Sequence, residues 1–316
     1  LDELQLVLWS IPRLSILFWS MGEVRRAHEI LDLLAERVHT PPLKLVVDAV
    51  AGAIAVHESR IEEGITAAEA GLAGPRRVKA GGARDHLLGA HAVSGFGDSF
   101  KTGGKVVKNV TGYDLCKLLA GSWGTLSVMT EVTLKVMPKP EAERTLLLRG
   151  LDDAVANKAM TAALGSLFDV SAAAHLPKSA FRAKTDGLGD IASQGEVLTV
   201  LRLEGITASA AHRAGSLREL LAPFGTATLV EDAASAALWA TIRDVLPFAA
   251  SGALGAWPVW RIVCPPASGA ALGTQLARET GGDVIYDWGG GLIWAALPPK
   301  GDAHEPAVRQ RANAVG

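Results

Sequence analysis

The second half of the chain alternates between two kinds of hydrophobic pattern. Short apolar or period-two runs predict strands, and longer stretches with helical spacing predict helices. The predicted strands are RTLLLRG, EVLTVLRLEG and VWRIVCPP, and the predicted helices cover residues 152–167, 208–221, 235–245 and 268–279, the last with Ser268 as its N-cap. DVIYDWGGGLIWAAL predicts a hairpin that turns at Gly289–Gly291. This alternation is typical of a layered α+β domain.

A denser set of signals lies in KNVTGYDLCKLLAGSWGTLSVMTEVTLKV, residues 108–136. Thr111 followed by Asp114 resembles a capping box at the start of a helix. Leu115, Leu118 and Leu119 follow at helical spacing and predict an apolar face. Gly121 then falls where a left-handed C′ glycine ends a helix. The sequence therefore predicts a short helix that ends in a tight glycine turn.

A half-buried strand is predicted after this turn. Val128, Thr130, Val132, Leu134 and Val136 share one face of it, and the residues between them take the other. A second glycine, Gly124, lies beside Ser122 and Thr125, so backbone N–H groups and hydroxyls could reach a flat or phosphorylated ligand. Helix capping and chain reversal explain Gly121 equally well without a ligand. Both interpretations stay open on the pattern alone.

Residues 1–65 are helix-prone but poorly patterned. The apolar start, LDELQLVLWSIPRLSILFWS, is interrupted by Asp2, Glu3, Pro12 and Arg13, so we do not expect a membrane span or signal peptide there. From about Gly71 glycines, arginines and short strand signals become regular. Pro138 and Pro140 in MPKPEAE stop a strand and predict a domain boundary.

Composition narrows the classes of function. The 316 residues suit two domains, and 49% hydrophobic with 20% charged residues is ordinary for a globular protein. A net charge of −2 gives no general attraction to nucleic acid. Two distant cysteines, Cys116 and Cys264, argue against a disulfide framework and indicate a reducing compartment, and no HExxH or CxxC motif predicts a metal site.

Common glycine-loop chemistries do not fit. Lys105 is followed by valine, so GGKVV is not a P-loop, and neither a Rossmann GxGxxG in context nor a GxSxG nucleophile elbow occurs. Instead GGKVVKNVTGYDLCKLLAGSWGTLSVMTEVTLKVMP closely resembles the FAD-binding subunits of bacterial glycolate oxidase, which are vanillyl-alcohol-oxidase-like, PCMH-type flavoproteins. AGPRRVKAGGARDHLLGAHAVSG, LWATIRDVLPF, WRIVCPP and YDWGGGLIWAALP are similar to other parts of that family. The resemblance runs from about Gly71 to Pro298.

The resemblance implies an α+β fold with a PCMH-type FAD-binding domain and a C-terminal α+β domain, over residues 64–140 and 141–316. It also implies FAD as cofactor. The residues that it places beside the cofactor are Gly74, Pro75, Arg76, Arg77, Arg84 and Asp85 in the groove, and Gly121, Ser122, Gly124, Thr125 and Val128 at the nucleotide end.

Several of these residues have a plainer interpretation. If Arg76 and Arg77 lie in a strand, only one faces the groove, and the pair could equally be one surface arginine and one paired with Asp85 or another carboxylate. Lys108 and Asn109 could meet a flavin or a carboxylate, although a solvated loop explains them. Cys116 is expected to be a packed core thiol. Trp288 and Trp294 are expected to fill core.

The implied activity is oxidation of a 2-hydroxy acid such as glycolate, with electrons passing from flavin to an iron–sulfur subunit. The implied partners are that subunit and a larger FAD-binding subunit, in the cytoplasm or peripherally at the inner membrane through the complex. No residue stands out as a catalytic base. The alternatives are a non-catalytic structural subunit and an inactive fragment with impaired FAD binding.

Residues 1–63 do not resemble the family, whose proteins begin with a glycine-rich loop around the FAD pyrophosphate. Our hypothesis is that a shifted reading frame or a joined fragment replaced a native flavin subdomain there. Loss of two charge-assisted hydrogen bonds from that loop would cost about 3–6 kcal/mol of binding free energy. The sequence would also be expected to continue past its final AVG into another strand.

Overall fold

The computed structural model describes residues 74–107, 112–122, 124–178, 196–248, 254 and 256–315. These residues divide into two compact units, which are described separately below. The first unit contains residues 81–137, and the second contains residues 74–80 together with those from Pro138 onward. The predicted atypical segment 1–63, Lys108, Asn109 and Thr111 lie outside the described residues.

Ten strands and eight α-helices occur among the described residues. In chain order they are α1 (Arg77–Ala80), α2 (Ala83–His86), β1 (Leu87–Ser94), β2 (Ser99–Gly103), α3 (Leu115–Leu119), β3 (Ser127–Leu134), β4 (Ala142–Arg149), α4 (Asp153–Leu164), β5 (Ala172–Leu176), β6 (Leu198–Gly205), α5 (Thr207–Leu221), β7 (Thr228–Glu231), α6 (Asp232–Arg243), β8 (Val259–Val263), α7 (Pro266–Thr280), β9 (Asp283–Asp287), β10 (Leu292–Ala296) and α8 (Glu305–Asn313). The fold class is α+β, as predicted.

The first unit is a three-stranded antiparallel sheet in the order β2-β1-β3, with α2 and α3 packed on β1. Its small core contains Ala90, Ala92 and Leu119, with Phe100 packed against them. Such a core is small because a three-stranded sheet with two one-turn helices has little surface to enclose.

Helix α3 differs from its prediction at both its start and its buried face. Asp114 is the N-cap, because its carboxylate accepts the Lys117 backbone N–H at 3.3 Å. Cys116 and Leu119 are buried, whereas Leu115 and Leu118 are exposed. A helix of five residues presents one turn to the sheet, so the side that faces β1 and β2 carries only those two side chains. Cys116 is thus the core thiol that was predicted.

Strand β3 is present after the glycine turn but is not half-buried. Ser127 alone among its residues is buried. A β-bulge between Met129 and Glu131 places Met129 and Val132 opposite Ala92 and Ala90, on one face, where they are 38% and 40% exposed. The prediction that Val128 and Val132 share a face is therefore wrong, because the bulge interrupts the alternation. Burial also requires a second layer over a face, which alternation in sequence does not supply. In the described part of this unit, much of the apolar surface of β3 is exposed.

The second unit is a seven-stranded antiparallel sheet in the order β7-β4-β6-β5-β9-β10-β8. Helices α4 and α5 enclose one core cluster with Leu146 and Leu148, and α6 encloses another with Leu147. Because β4 is covered on both faces, its sequence is a continuous leucine run and not an alternating pattern. A third cluster packs α7 and α8 on β9 and β10.

The predicted hairpin is confirmed. Strands β9 and β10 pair without a register shift. Asp283 lies opposite Ala296 at one end and Asp287 lies opposite Leu292 at the other, and residues 288–291 make the turn. The predicted N-cap of α7 is wrong, since the helix begins at Pro266 and Ser268 lies inside its first turn. Proline suits that first turn, because its fixed φ is helical and its missing N–H would have no helical partner.

Candidate functional site

The glycine turn of the first unit is exposed. Gly121 follows α3 with φ +84°, and no atom lies within 4 Å of the position that a Cβ would take. The Ser122 N–H donates to the Leu119 carbonyl at 3.0 Å, which closes the end of the helix as the C′ glycine predicted. Because this backbone has space beside it, the turn is accessible to a ligand.

The following residues are held by the backbone of the same turn. Gly124 has φ +69°, and Thr125 donates both its N–H and its hydroxyl to the Ser122 carbonyl, at 3.0 and 2.6 Å. Val128 is half-buried and pairs with Val93 of β1. Beside it Leu126 is 49% exposed. The turn therefore combines accessible backbone with a flat apolar strand surface.

Arg84 and Asp85 lie on the helix beside this turn. The Asp85 carboxylate accepts the Gly82 N–H at 2.8 Å, so it caps its own helix, α2. The Lys117 ammonium group of α3 donates to the Arg84 carbonyl and, at 3.4 Å, to the Leu87 carbonyl. These bonds join α2 to the helix that ends at Gly121. Seven of the predicted cofactor residues thus lie in the first unit, on adjoining elements.

Gly74, Pro75, Arg76 and Arg77 belong to the second unit. The expectation of a strand here is wrong, because Arg77 begins α1. Pro75 is buried, and the Gly74 carbonyl accepts the Trp288 indole N–H at 3.1 Å. The role of these four residues in cofactor binding stays a prediction.

Arg76 is engaged by carboxylates. Its Nε donates to the two Glu204 carboxylate oxygens at 3.0 and 3.2 Å, and its Nη2 reaches Glu204 at 2.5 Å and Glu143 at 3.4 Å. The alternative predicted from the sequence, an arginine paired with a carboxylate other than Asp85, matches these contacts. Arg76 therefore holds the segment 74–80 to the interior strands β6 and β4 of the large sheet.

Glu204 also borders a buried arginine. The Arg202 Nε donates to Ser171 Oγ at 3.1 Å and approaches Glu204 at 3.2 Å, and its guanidinium lies 4.6 Å from the Trp239 ring centroid. Burial lowers the pKa of Arg202 to about 10, and its Nη2 has no hydrogen-bond partner within the described part of the chain. For Glu204, burial raises the pKa, but the hydrogen bond from Arg76 and the charge of Arg202 outweigh that effect and lower it overall.

Trp288 is buried, as predicted, and it also contacts two arginines. The guanidinium carbon of Arg77 lies 4.8 Å from its ring centroid and that of Arg261 lies 5.1 Å away. Its backbone follows Asp287, a fully buried residue whose pKa burial raises to about 7. Arg261 was missed at the sequence level, although the alternation of VWRIV places it on the face opposite the buried Ile262.

A half-buried carboxylate, that of Asp153, ties four elements together. The Asp153 carboxylate accepts the Tyr286 hydroxyl at 2.5 Å and the Thr274 hydroxyl at 2.8 Å, and it lies 3.3 Å from His175 Nε2. These bonds outweigh burial and lower the pKa of Asp153. Every donor here has a protein acceptor, which is the arrangement of a structural network.

Across residues 74–315, leaving aside those not described, no three acidic, histidine or cysteine side chains are grouped to hold a metal ion. The same described residues include no helix that is long and apolar enough to cross a membrane. The apolar start at residues 1–20 lies outside them.

The fold is that of the PCMH-type flavoproteins. Alkyldihydroxyacetonephosphate synthase superimposes with a TM-score of 0.54 at 16% identity, over 76% of this chain and 50% of the synthase chain. A second crystal form of that synthase gives the same TM-score over 77% and 51%. No protein-family profile matches the chain.

At the level of sequence, the chain is similar to glycolate oxidase subunits. It is 50% identical to subunit GlcE of Escherichia coli over 76 residues, which is 24% of this chain and 22% of GlcE. It is 49% identical to subunit GlcD of Bacillus subtilis over 74 residues, or 23% and 16% of the two chains. An uncharacterised FAD-linked oxidoreductase of Mycobacterium tuberculosis and a D-lactate dehydrogenase of Anaerostipes hadrus match at 45% and 40% identity over 74 and 85 residues.

These alignments cover less of the chain than the resemblance between Gly71 and Pro298. Each spans about a quarter of this chain, and the aligned part is 22% of the length of GlcE and 16% of that of GlcD. By name, these relatives are two glycolate oxidase subunits, an FAD-linked oxidoreductase and a D-lactate dehydrogenase. They support an oxidoreductase relationship of that general kind.

Proposed function

We propose that this chain is the FAD-binding subunit of an oxidoreductase that oxidises a small 2-hydroxy acid, with glycolate as the first substrate to test. The single observation behind the proposal is the 50% identity to a glycolate oxidase subunit over 76 residues. Bound FAD would supply the acceptor for the hydride removed from the substrate. The chain's own residues would bind and orient that cofactor.

The first unit fits a flavin nucleotide in three respects. The left-handed turn at Gly121 and Gly124 leaves room for close approach to backbone, since nothing occupies the Cβ position of Gly121. The exposed Leu126 beside this turn offers an apolar side chain against which a flat ring can lie. Arg84, exposed on α2, supplies a cation for a phosphate. We assign cofactor contacts to these residues and to Asp85, Ser122, Thr125 and Val128.

The partners that we propose are a larger FAD-binding subunit and an iron–sulfur subunit, in a complex in the cytoplasm or at the inner membrane. The support for an assembly is that GlcE and GlcD are both named as subunits of glycolate oxidase. Among the described residues we assign no catalytic base, because the buried acids and histidine have structural partners. Proton removal from the substrate therefore belongs, in this proposal, to the larger subunit.

A second candidate is a structural subunit that binds no flavin. The carboxylate pairing of Arg76 favours it, since that charge holds a segment of the second unit. The third candidate is an inactive fragment of the same kind of subunit.

Absorbance spectra and activity separate these candidates. The purified chain should show the visible absorbance of oxidised flavin, or acquire it when FAD is added and the excess is removed. Mixing with the two partner subunits should then give glycolate-dependent reduction of a dye. A colourless chain that raises the activity of the partners is a structural subunit, and a colourless chain without any effect on them is an inactive fragment.

A further inference from the structure

Two arginines of the second unit share one tryptophan. The guanidinium carbons of Arg77 and Arg261 lie 4.8 and 5.1 Å from the ring centroid of Trp288, and Arg261 is also 5.9 Å from that of Trp294. Both arginines are exposed. Within the described part of the chain, neither one forms an ion pair with a carboxylate, in contrast to Arg76.

Trp288 is held in an uncommon conformation at this point. Its φ is +54°, a left-handed value that is an outlier for a bulky residue. The Asp287 carboxylate accepts its backbone N–H at 2.7 Å, and the Gly74 carbonyl accepts its indole N–H at 3.1 Å. Strain of this kind persists where the surroundings fix it, and it is common at ligand sites. Here it fixes the ring that both arginines contact.

The two arginines also repel each other. Burial lowers the pKa of Arg261, and the charge of Arg77 lowers it further. Arginine stays protonated, so this repulsion is a standing cost in the free protein. An anion that contacts both guanidinium groups would remove it. Two guanidinium groups without carboxylate partners among the described residues, beside the buried Trp288 ring, are therefore better explained by an anionic ligand than by folding alone.

We propose that Arg77, Arg261 and Trp288 form a binding site for a small carboxylate. The planar guanidinium fork matches a planar carboxylate with two parallel hydrogen bonds. The surroundings are flat and apolar. Trp294 lies beside Arg261, and the exposed Val259 and Val263 lie two residues before and after Arg261, on the same face of β8. A short carbon chain gains from such a wall, whereas a tetrahedral phosphate gains only from the charges.

This inference deepens the proposed function. Only the choice of glycolate and D-lactate as probes rests on that function. Isothermal titration of the full chain with glycolate, D-lactate and inorganic phosphate, at constant ionic strength, tests it. The two hydroxy acids should bind saturably and more tightly than phosphate. Arg77→Gln and Arg261→Gln should each weaken glycolate binding about tenfold or more, which corresponds to the loss of one charge-assisted hydrogen bond.

Arg278→Gln is the matched control, because Arg278 is exposed on α7 and its substitution removes the same charge elsewhere in the unit. It should leave glycolate binding unchanged. The proposal is overturned if glycolate does not saturate, if phosphate binds as tightly, or if Arg278→Gln weakens binding as much as the other two variants. Melting temperatures within about 2 °C of the parent, the scale of a surface change in a chain of this size, should accompany all three variants.

Flavin absorbance of the same samples separates this inference from the proposed function. A colourless chain that binds glycolate through both arginines supports the carboxylate site and contradicts the flavin proposal. A chain that retains flavin and fails to bind either hydroxy acid supports the flavin proposal and contradicts the carboxylate site.

Discussion

The Arg76 guanidinium binds the Glu204 carboxylate through both Nε and Nη2, across 128 positions of sequence. Glu204 lies at the end of β6 and Arg76 lies just before α1, so this pair fastens a short segment to the large sheet. Glu204 is 12% exposed and also balances the buried Arg202. Removal of its charge leaves two arginines without their main partner.

We therefore expect Glu204→Gln to lower the free energy of unfolding by about 2–4 kcal/mol. This is less than the about 3–5 kcal/mol typical of a fully buried pair, because the Arg76 partner is 36% exposed. Urea denaturation with circular dichroism measures this change. Glu219→Gln, at an exposed position of α5, is the control and should change stability by less than about 0.5 kcal/mol. Equal effects of the two variants would show that the Glu204 pair contributes nothing.

Arg76→Gln separates a structural role from a cofactor role. We expect it to destabilise the chain by about 1–2 kcal/mol, a value reduced because the Arg76 side chain is 36% exposed. Fluorescence titration with FAD at low temperature should give the same dissociation constant as the parent. Arg84→Gln should behave in the opposite way, with unchanged stability and weaker FAD binding. A loss of FAD affinity in Arg76→Gln alone would place the cofactor groove at the second unit.

Gly121→Ala tests the turn itself. A Cβ at φ +84° costs about 1–2 kcal/mol of backbone strain, although there is space for the atom. We expect FAD affinity to fall about tenfold or more, because the added methyl group lies where the ligand would approach. Gly97→Ala is a matched control, with φ +86° and the same empty surroundings in the hairpin between β1 and β2. Both variants should melt alike, and only Gly121→Ala should weaken FAD binding; equal affinities would contradict the assignment.

Asp287 should make stability fall with rising pH. Burial raises its pKa from 3.8 to about 7, so between those values the folded chain keeps a proton that the unfolded chain has lost. The free energy of unfolding therefore falls as pH rises, and this fall levels off above about pH 7. Asp287→Asn keeps the oxygen that accepts the Trp288 N–H and removes this dependence.

The measurement is urea denaturation between about pH 5 and 8. Over that interval the parent should lose about 1–3 kcal/mol more stability than Asp287→Asn. Asp302→Asn serves as the control, since Asp302 has a lowered pKa and does not titrate in this range. Parallel pH profiles for the parent and Asp287→Asn would rule out a titrating buried carboxyl.

Tyr286→Phe should weaken the network at Asp153. The tyrosine hydroxyl donates to Asp153 at 2.5 Å inside the unit, and its loss should cost about 1–3 kcal/mol. The pKa of Asp153 is lowered by its donors, so its contribution to stability is present above about pH 4 and disappears as the pH falls. A double-mutant cycle with Asp153→Asn measures the coupling, and strictly additive effects would contradict a shared network.

The local sequence determined the elements of the second unit and the turn at Gly121. Residues 152–167 and 208–221 were predicted as helices and form α4 and α5 within three residues at every end, and the triple glycine forms the hairpin turn. These features depend on periodicity, capping and glycine φ values, which act over a few neighbouring residues. Strong local preferences therefore survived folding unchanged.

Tertiary structure alone decided which side chains met. Arg76 paired with Glu204, Arg77 and Arg261 met at Trp288, and β3 kept its apolar residues exposed, although nothing in the adjacent sequence distinguishes these outcomes. Each depends on residues far away in the chain, since a partner or a covering layer must be brought there by the topology of the sheet. A sequence pattern indicates which side chains share a face of a strand or helix. Only the packed fold decides which face is covered, as the buried Cys116 and the exposed Leu115 of α3 show.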